Sequence, residues 1–88
     1  MKLNRDNFII IRGWMLIDYN LQWRDLIMFA IIYGFSKGIK EWQVDFQYIS
    51  SISKMGKLAM KNSLKRLLLR NLITIRETEE NVFVKSIK

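Results

Sequence analysis

Apolar and polar positions along the chain fall into segments with two different periods. Phe8–Ile11 is an apolar, β-branched run that predicts a short strand, with Gly13 allowing a bend before Trp14-Met15-Leu16-Ile17. Asn20 is the expected N-cap of a helix from about Leu21 to Phe35. That helix carries Leu26, Ile27, Phe29, Ala30, Ile31, Ile32 and Tyr33, apolar nearly all round, which predicts a place at the centre of the core. Gly34 and Gly38 bracket its end, where Lys37 complements the negative pole of the helix dipole. Trp42-Gln43-Val44 alternates as a short strand does.

The second half of the chain is more regular. Asp45 is placed to cap a helix from Phe46 to about Ser53, with Tyr48, Ile49 and Ile52 on one side. Lys54-Met55-Gly56 predicts a tight turn, and Lys57 to Arg70 a longer helix with an apolar stripe of Met60, Leu64, Leu67 and Leu68. Asn71 suits the left-handed position that follows a helix. Ile73 and Ile75 alternate with Thr74 and Arg76, and Val82 and Val84 with Phe83 and Lys85. Thr78-Glu79-Glu80-Asn81 lies between them, so the segment predicts a β-hairpin. The expected order is strand, helix, strand, helix, helix, strand, strand. A short helix, a turn and a basic second helix make a helix-turn-helix over about residues 45–70, and a hairpin over about 72–87 is its wing. The expected fold class is therefore α+β: a winged helix-turn-helix of three helices, with a C-terminal hairpin and a short N-terminal strand. Without proline, low-complexity segments or repeats, residues 1–88 read as one domain.

Composition narrows the chemistry. Half of the 88 residues are apolar, enough for one core and against a disordered tail. The absence of cysteine and histidine removes thiolate chemistry, disulfides, the commonest metal ligand and the commonest general base. Asp18, Asp25 and Asp45 are the carboxylates that would have to form a metal site. Asp45 is expected at a helix cap and the other two flank a helix, so no metal, no cofactor and no enzymatic activity are expected. The longest apolar run, Leu26 to Tyr33, has eight residues against the ~20 of a membrane span. Arg12 interrupts Phe8–Ile11 before it can serve as a signal-peptide core, so the expected location is the cytoplasm, with no membrane partner.

Charge sharpens the picture further. The net charge is +7, and up to Ser53 six basic residues nearly balance five acidic ones. From Lys54 onward nine basic residues face three acidic ones, and the 17 residues from Lys54 to Arg70 contain no carboxylate. A single-sign run of this kind points to a polyanion, and the expected partner is double-stranded DNA. Lys57, Lys61 and Lys65 follow one another at spacing four, on a face opposite Met60, Leu64 and Leu67. Asn62 lies beside them, placed to pair with adenine in a major groove. The candidate DNA contacts are Lys54, Lys57, Leu58, Lys61, Asn62, Lys65 and Arg66. Arg76 and Lys85 join them from the stem of the hairpin, whose tip Glu77, Glu79 and Glu80 make repulsive to phosphates.

Trp14, Trp23 and Trp42 adjoin apolar runs and are expected in the core or an interface rather than as base-stacking platforms. Leu58, Leu68 and Leu69 exceed what one core stripe requires, and Phe8–Ile11 would be an unpaired strand edge. Ile10 and Leu69 are thus the candidate interface residues of a homodimer.

Several segments also resemble a known family. Phe8-Ile9-Ile10-Ile11-Arg12-Gly13-Trp14-Met15, then Leu26-Ile27-Met28-Phe29-Ala30-Ile31-Ile32-Tyr33-Gly34-Phe35-Ser36, resembles the opening of small winged-helix proteins of bacterial plasmids, phages and integrative elements. These are similar to replication-initiator and phage replisome-organiser N-terminal domains. Gln47-Tyr48-Ile49, Asn62-Ser63-Leu64 and Leu67 continue the resemblance, and Asn71-Leu72-Ile73 stands where the family usually has Gly-Leu-Ile. Gly56 replaces the family's usual Ser or Thr, and Leu58 occupies a position that is more often polar. The resemblance implies DNA binding in replication initiation or transcriptional regulation, with replication proteins as further partners. The alternative is a module of the same fold that binds an acidic protein partner.

Overall fold

The computed structural model describes residues 9–21 and 23–87. Its elements run α1 (Gly13–Ile17), α2 (Trp23–Ser36), β1 (Trp42–Gln43), α3 (Phe46–Ser53), α4 (Lys57–Leu69), β2 (Ile73–Glu77) and β3 (Val82–Ser86). The described residues thus form a small α+β domain of four helices and a three-stranded antiparallel sheet.

The nearly uniform apolarity of α2 is explained by its surroundings, since it packs on α1, α4, β1 and β3. Met28, Phe29, Ala30, Ile31 and Ile32 are buried along it. Its last residue, Ser36, is also buried and ties the helix to the sheet: the Ser86 N–H donates to Ser36 Oγ at 3.2 Å. The strand order is β1-β3-β2, so the strand before α3 returns to pair with the last strand of the hairpin. Trp42 and Ile75 lie opposite Val84 from the two sides, and Ile73 lies opposite Ser86. The hairpin closes where expected, with the Thr78 N–H donating to the Asn81 carbonyl at 2.9 Å.

The N-terminal part departs from expectation. Residues 9–11 form no strand and Phe8 lies outside the described residues; the next regular element is the helix α1, a fourth helix where a strand and a bend were expected. A strand needs a neighbour for its backbone groups, and among the described residues the sheet consists of β1, β3 and β2, with residues 9–11 paired to none of them. Residues 13–17 instead satisfy their backbone locally, and the segment is held by packing. Met15 is fully buried, and the Trp14 ring meets Tyr19, Phe29 and Tyr33 edge-on at 5.4, 5.9 and 5.2 Å. Asn20 does not cap α2 but adopts a left-handed conformation (φ 52°) that turns buried Leu21 inward. The Leu21 N–H donates to the Met15 carbonyl at 3.1 Å.

The two helices after β1 begin and end largely as their sequence dictates. Asp45 caps α3, its carboxylate accepting from the Tyr48 N–H at 3.0 Å. The turn to α4 is fixed by Lys54 in the left-handed region (φ 63°) and by Ser50 Oγ, which donates to the Met55 carbonyl at 2.8 Å. At the far end of α4, Asn71 is left-handed (φ 60°). The Asn71 N–H donates to the Leu68 carbonyl at 2.9 Å and the Leu72 N–H to the Leu67 carbonyl at 3.1 Å. Those two bonds are the paired closure of a Schellman motif, and buried Leu67 and Leu72 supply apolar side chains at the positions that usually accompany it. α4 is therefore stopped sharply and the chain enters β2 in a defined direction.

Three apolar side chains lie outside the core that their spacing suggested. Ile52 is 41% and Leu68 40% exposed, and Trp23 is 72% exposed at the start of α2. Trp42, by contrast, stacks on Phe35 with ring centroids 4.6 Å apart.

Candidate functional site

The site is built on α4. Met60, Ser63, Leu64 and Leu67 are buried along its inner side, which packs on α2. At about 100° per residue, the line directly opposite them runs close to Leu58 and Leu69, which are 73% and 75% exposed. Lys57, Lys61 and Lys65 are exposed, but they do not form a straight ladder opposite the core. Spacing four overshoots the helical repeat by about 40° per step. The three ammonium groups therefore wind from one flank of α4, at Lys57, to its outward face, at Lys65. Exposed Asn62 and Leu58 sit among them. No acidic side chain pairs with these lysines or with exposed Lys54 among the described residues.

The other flank of α4 is committed to the fold. Arg66 donates from Nε to Asp25 Oδ2 at 2.9 Å and from a terminal nitrogen to Oδ1 at 2.8 Å. Ser63 Oγ, fully buried, donates to the same Oδ1 at 2.7 Å. Burial pushes the Asp25 carboxyl up, but the hydrogen bonds from Arg66 and Ser63 and the charges of Arg66 and Arg70 outweigh it and hold the group below its ordinary value. Arg70 donates to the Tyr19 carbonyl, joining the end of α4 to the loop after α1. Asp25 itself lies in the first turn of α2, where the helix dipole favours a negative charge.

The hairpin cations are engaged as well. Arg76 donates through Nε to Glu41 at 2.9 Å and lies over the Phe83 ring at 4.2 Å. That hydrogen bond holds the Glu41 carboxyl below its ordinary value. Lys85 Nζ donates to the Ser36 carbonyl at 2.5 Å, so it fastens β3 to the end of α2. Thus Lys54, Lys57, Leu58, Lys61, Asn62 and Lys65 form the open surface. Arg66, Arg76 and Lys85 point to partners within the chain.

Between α4 and the hairpin lies a cleft of about 580 Å³. Phe46, Leu58, Leu64, Leu68, Ile75 and Val82 give it apolar walls, with Lys61, Asn62 and Lys65 on the helix side and Glu77 on the strand side. A smaller recess of about 310 Å³ at the start of α4 is lined by exposed Trp23 and Arg24 and by Lys54 and Gly56 of the turn. Neither was anticipated from the sequence. Excess leucine on α4 was the available signal for the first, and nothing in the linear pattern brings Trp23 beside Gly56.

Ile10 and Leu69 are both exposed. Asp18, Asp25 and Asp45 do not converge: among the described residues no three acidic side chains are placed to hold a metal ion. No helix of the described residues is long and apolar enough to cross a membrane. Comparison with protein-family models, curated proteins and solved structures returns no match.

Proposed function

We propose that this protein binds double-stranded DNA as a winged helix-turn-helix, with α4 as the recognition helix and the β2–β3 hairpin as the wing. The observation that carries the reading is the group of exposed lysines, Lys54, Lys57, Lys61 and Lys65, on and just before α4, none with an acidic partner among the described residues. Like charges crowded on one surface repel one another, and a polyanion relieves that repulsion while releasing its counterions. The order α3, turn, α4, hairpin supports the same reading, because a sharply stopped α4 with a packed inner side leaves its outer side free to enter a groove. Lys54, Lys57, Lys61 and Lys65 contact phosphate, and Asn62 faces base edges. Glu77, Glu79 and Glu80 keep the wing tip off the backbone.

The resemblance to plasmid and phage proteins supports a role in replication initiation or transcriptional regulation on a mobile element, in the cytoplasm, with replication proteins as further partners. A homodimer would present two copies of α4 to a symmetric site, and exposed Ile10 and Leu69 are its candidate contacts. Sedimentation at micromolar concentration should show a dimer that Ile10→Lys or Leu69→Glu shifts to monomer.

The test of DNA binding is its salt dependence. Four lysine–phosphate contacts give a log–log slope of about −4, a loss of roughly 100-fold between about 50 and 200 mM salt. A flat response removes the reading. A second reading, an acidic protein segment seated in the cleft between α4 and the hairpin, is favoured by that cleft's apolar walls and lysine rim. It predicts no preference among duplexes.

A further inference from the structure

The outward face of α4 carries a particular choice of base-reading chemistry. Leu58 and Asn62 lie one turn apart in the N-terminal half of the helix, and both are exposed. The Asn62 side-chain amide has no hydrogen-bond partner among the described residues. The two arginines of this segment, the residue type best suited to the O6/N7 edge of guanine, are turned away. Arg66 is held by Asp25 and Arg70 by the Tyr19 carbonyl. In this half of the helix the side chains nearest the outward line are therefore an apolar group and a carboxamide, with Lys65 outward one turn further on. In the major groove those groups match the C5-methyl of thymine and the N6/N7 edge of adenine.

We propose that α4 reads A·T base pairs, with Leu58 packed against thymine methyl groups and Asn62 paired with adenine. The proposal rests on the duplex-binding reading above and names the class of site it recognises. Four residues of helix advance about 6 Å, close to two base-pair steps at 3.4 Å each. Leu58 and Asn62 thus read positions two base pairs apart within one short A·T segment, while Lys61 and Lys65 meet the flanking phosphates. The Asp25 carboxylate holds the Arg66 guanidinium on the α2 side of the helix, away from Leu58 and Asn62.

The test uses the full chain and a duplex selected from a random pool, measured by fluorescence anisotropy at fixed salt. Three variants of that duplex are compared with the parent: thymine replaced by uracil, adenine replaced by 7-deazaadenine, and A·T pairs replaced by G·C. Uracil keeps every hydrogen-bonding group and lacks only the methyl, so affinity should fall about 4-fold per methyl contacted. Loss of adenine N7 should cost roughly 5-fold or more. Leu58→Ala should abolish the thymine–uracil difference and Asn62→Ala the adenine–deazaadenine difference, each leaving the other intact. Both side chains are exposed, so both variants should keep the parent circular dichroism spectrum. Tight duplex binding that ignores both base changes overturns the A·T assignment and leaves duplex binding standing. Absence of binding to any duplex at low salt overturns duplex binding and the assignment with it.

Discussion

On α4, Lys57, Lys61 and Lys65 stand in solvent with no acidic partner among the described residues. On the hairpin stem, Arg76 is bound to Glu41 and Lys85 to the Ser36 carbonyl. Both regions contribute to the same excess of positive charge, yet the fold uses them oppositely. Arg76 fastens edge strand β2 to Glu41, just before β1, and Lys85 fastens the central strand β3 to the end of α2, whereas the α4 lysines hold nothing together. A cation already satisfied by a carboxylate has little to gain from a phosphate, because the new contact must first break the old one. The difference is repeated within α4 itself, where Arg66 and Lys65 are adjacent in sequence, yet Arg66 is turned to Asp25 of α2 and Lys65 to the outward face.

The strongest way to break this comparison is charge reversal. Replacing Lys57, Lys61 and Lys65 together by Glu should lower affinity for any duplex by at least roughly 100-fold and flatten the salt slope by about three. Arg76→Ala should change it by less than about 2-fold, since its guanidinium is engaged by Glu41. Anisotropy titrations at two salt concentrations measure both. Equal losses for the two proteins would mean that the hairpin is as much a part of the surface as α4.

A second, smaller effect separates the flanks of α4 by stability. Asp25→Ala removes the acceptor of Arg66 and of buried Ser63 and should cost about 1–2 kcal/mol, the lower end applying because Arg66 is half-exposed. That is a drop in Tm of several degrees, on the order of 4–8 °C per kcal/mol for a domain of this size. Lys65→Ala should leave stability within about 0.5 kcal/mol and flatten the salt slope by about one. Thermal melts of the two variants side by side would show whether the flanks differ as described.

The same carboxylate sets an acid limit on stability. The Asp25 carboxyl sits below its ordinary value in the folded protein, so its contribution is fully present above that ordinary value of 3.8. It is lost as pH falls through the depressed folded value. Melting temperature followed from about pH 5 to about pH 2 should fall less steeply for Asp25→Asn than for the parent chain. An unchanged acid slope would show that the Asp25–Ser63–Arg66 group contributes nothing in solution. The smallest effect concerns the wing tip. Replacing Glu79 and Glu80 by Gln should raise duplex affinity by no more than about 2-fold, if the tip stays off the phosphates as the proposed duplex-binding mode requires.

Much of the second half of the domain was legible in the linear pattern. Asp45, Asn71 and Thr78-Glu79-Glu80-Asn81 mark ends and turns through their own backbone and side-chain preferences, which act within a few residues. The boundaries of α3 and the hairpin register follow from them. The first part of the chain was less legible. Phe8–Ile11 has the composition of a strand, but strand formation depends on a neighbour, and residues 9–11 have none in the sheet. Trp23 borders an apolar run and yet is exposed, because burial depends on which side of α2 its neighbours occupy.

By itself, then, the sequence determined the local architecture from β1 to β3, the central place of α2 and the carboxylate-free basic segment on α4. These depend on residue type, period and short-range capping. Tertiary structure alone decided that α1 is a helix, that a cleft opens between α4 and the hairpin, and which cations remain available. Asp25 and Arg66 are 41 residues apart, and Glu41 and Arg76 are 35 apart. Charge counted along a chain is additive, but the availability of a charge depends on what packing brings within hydrogen-bond distance, and no local pattern encodes that.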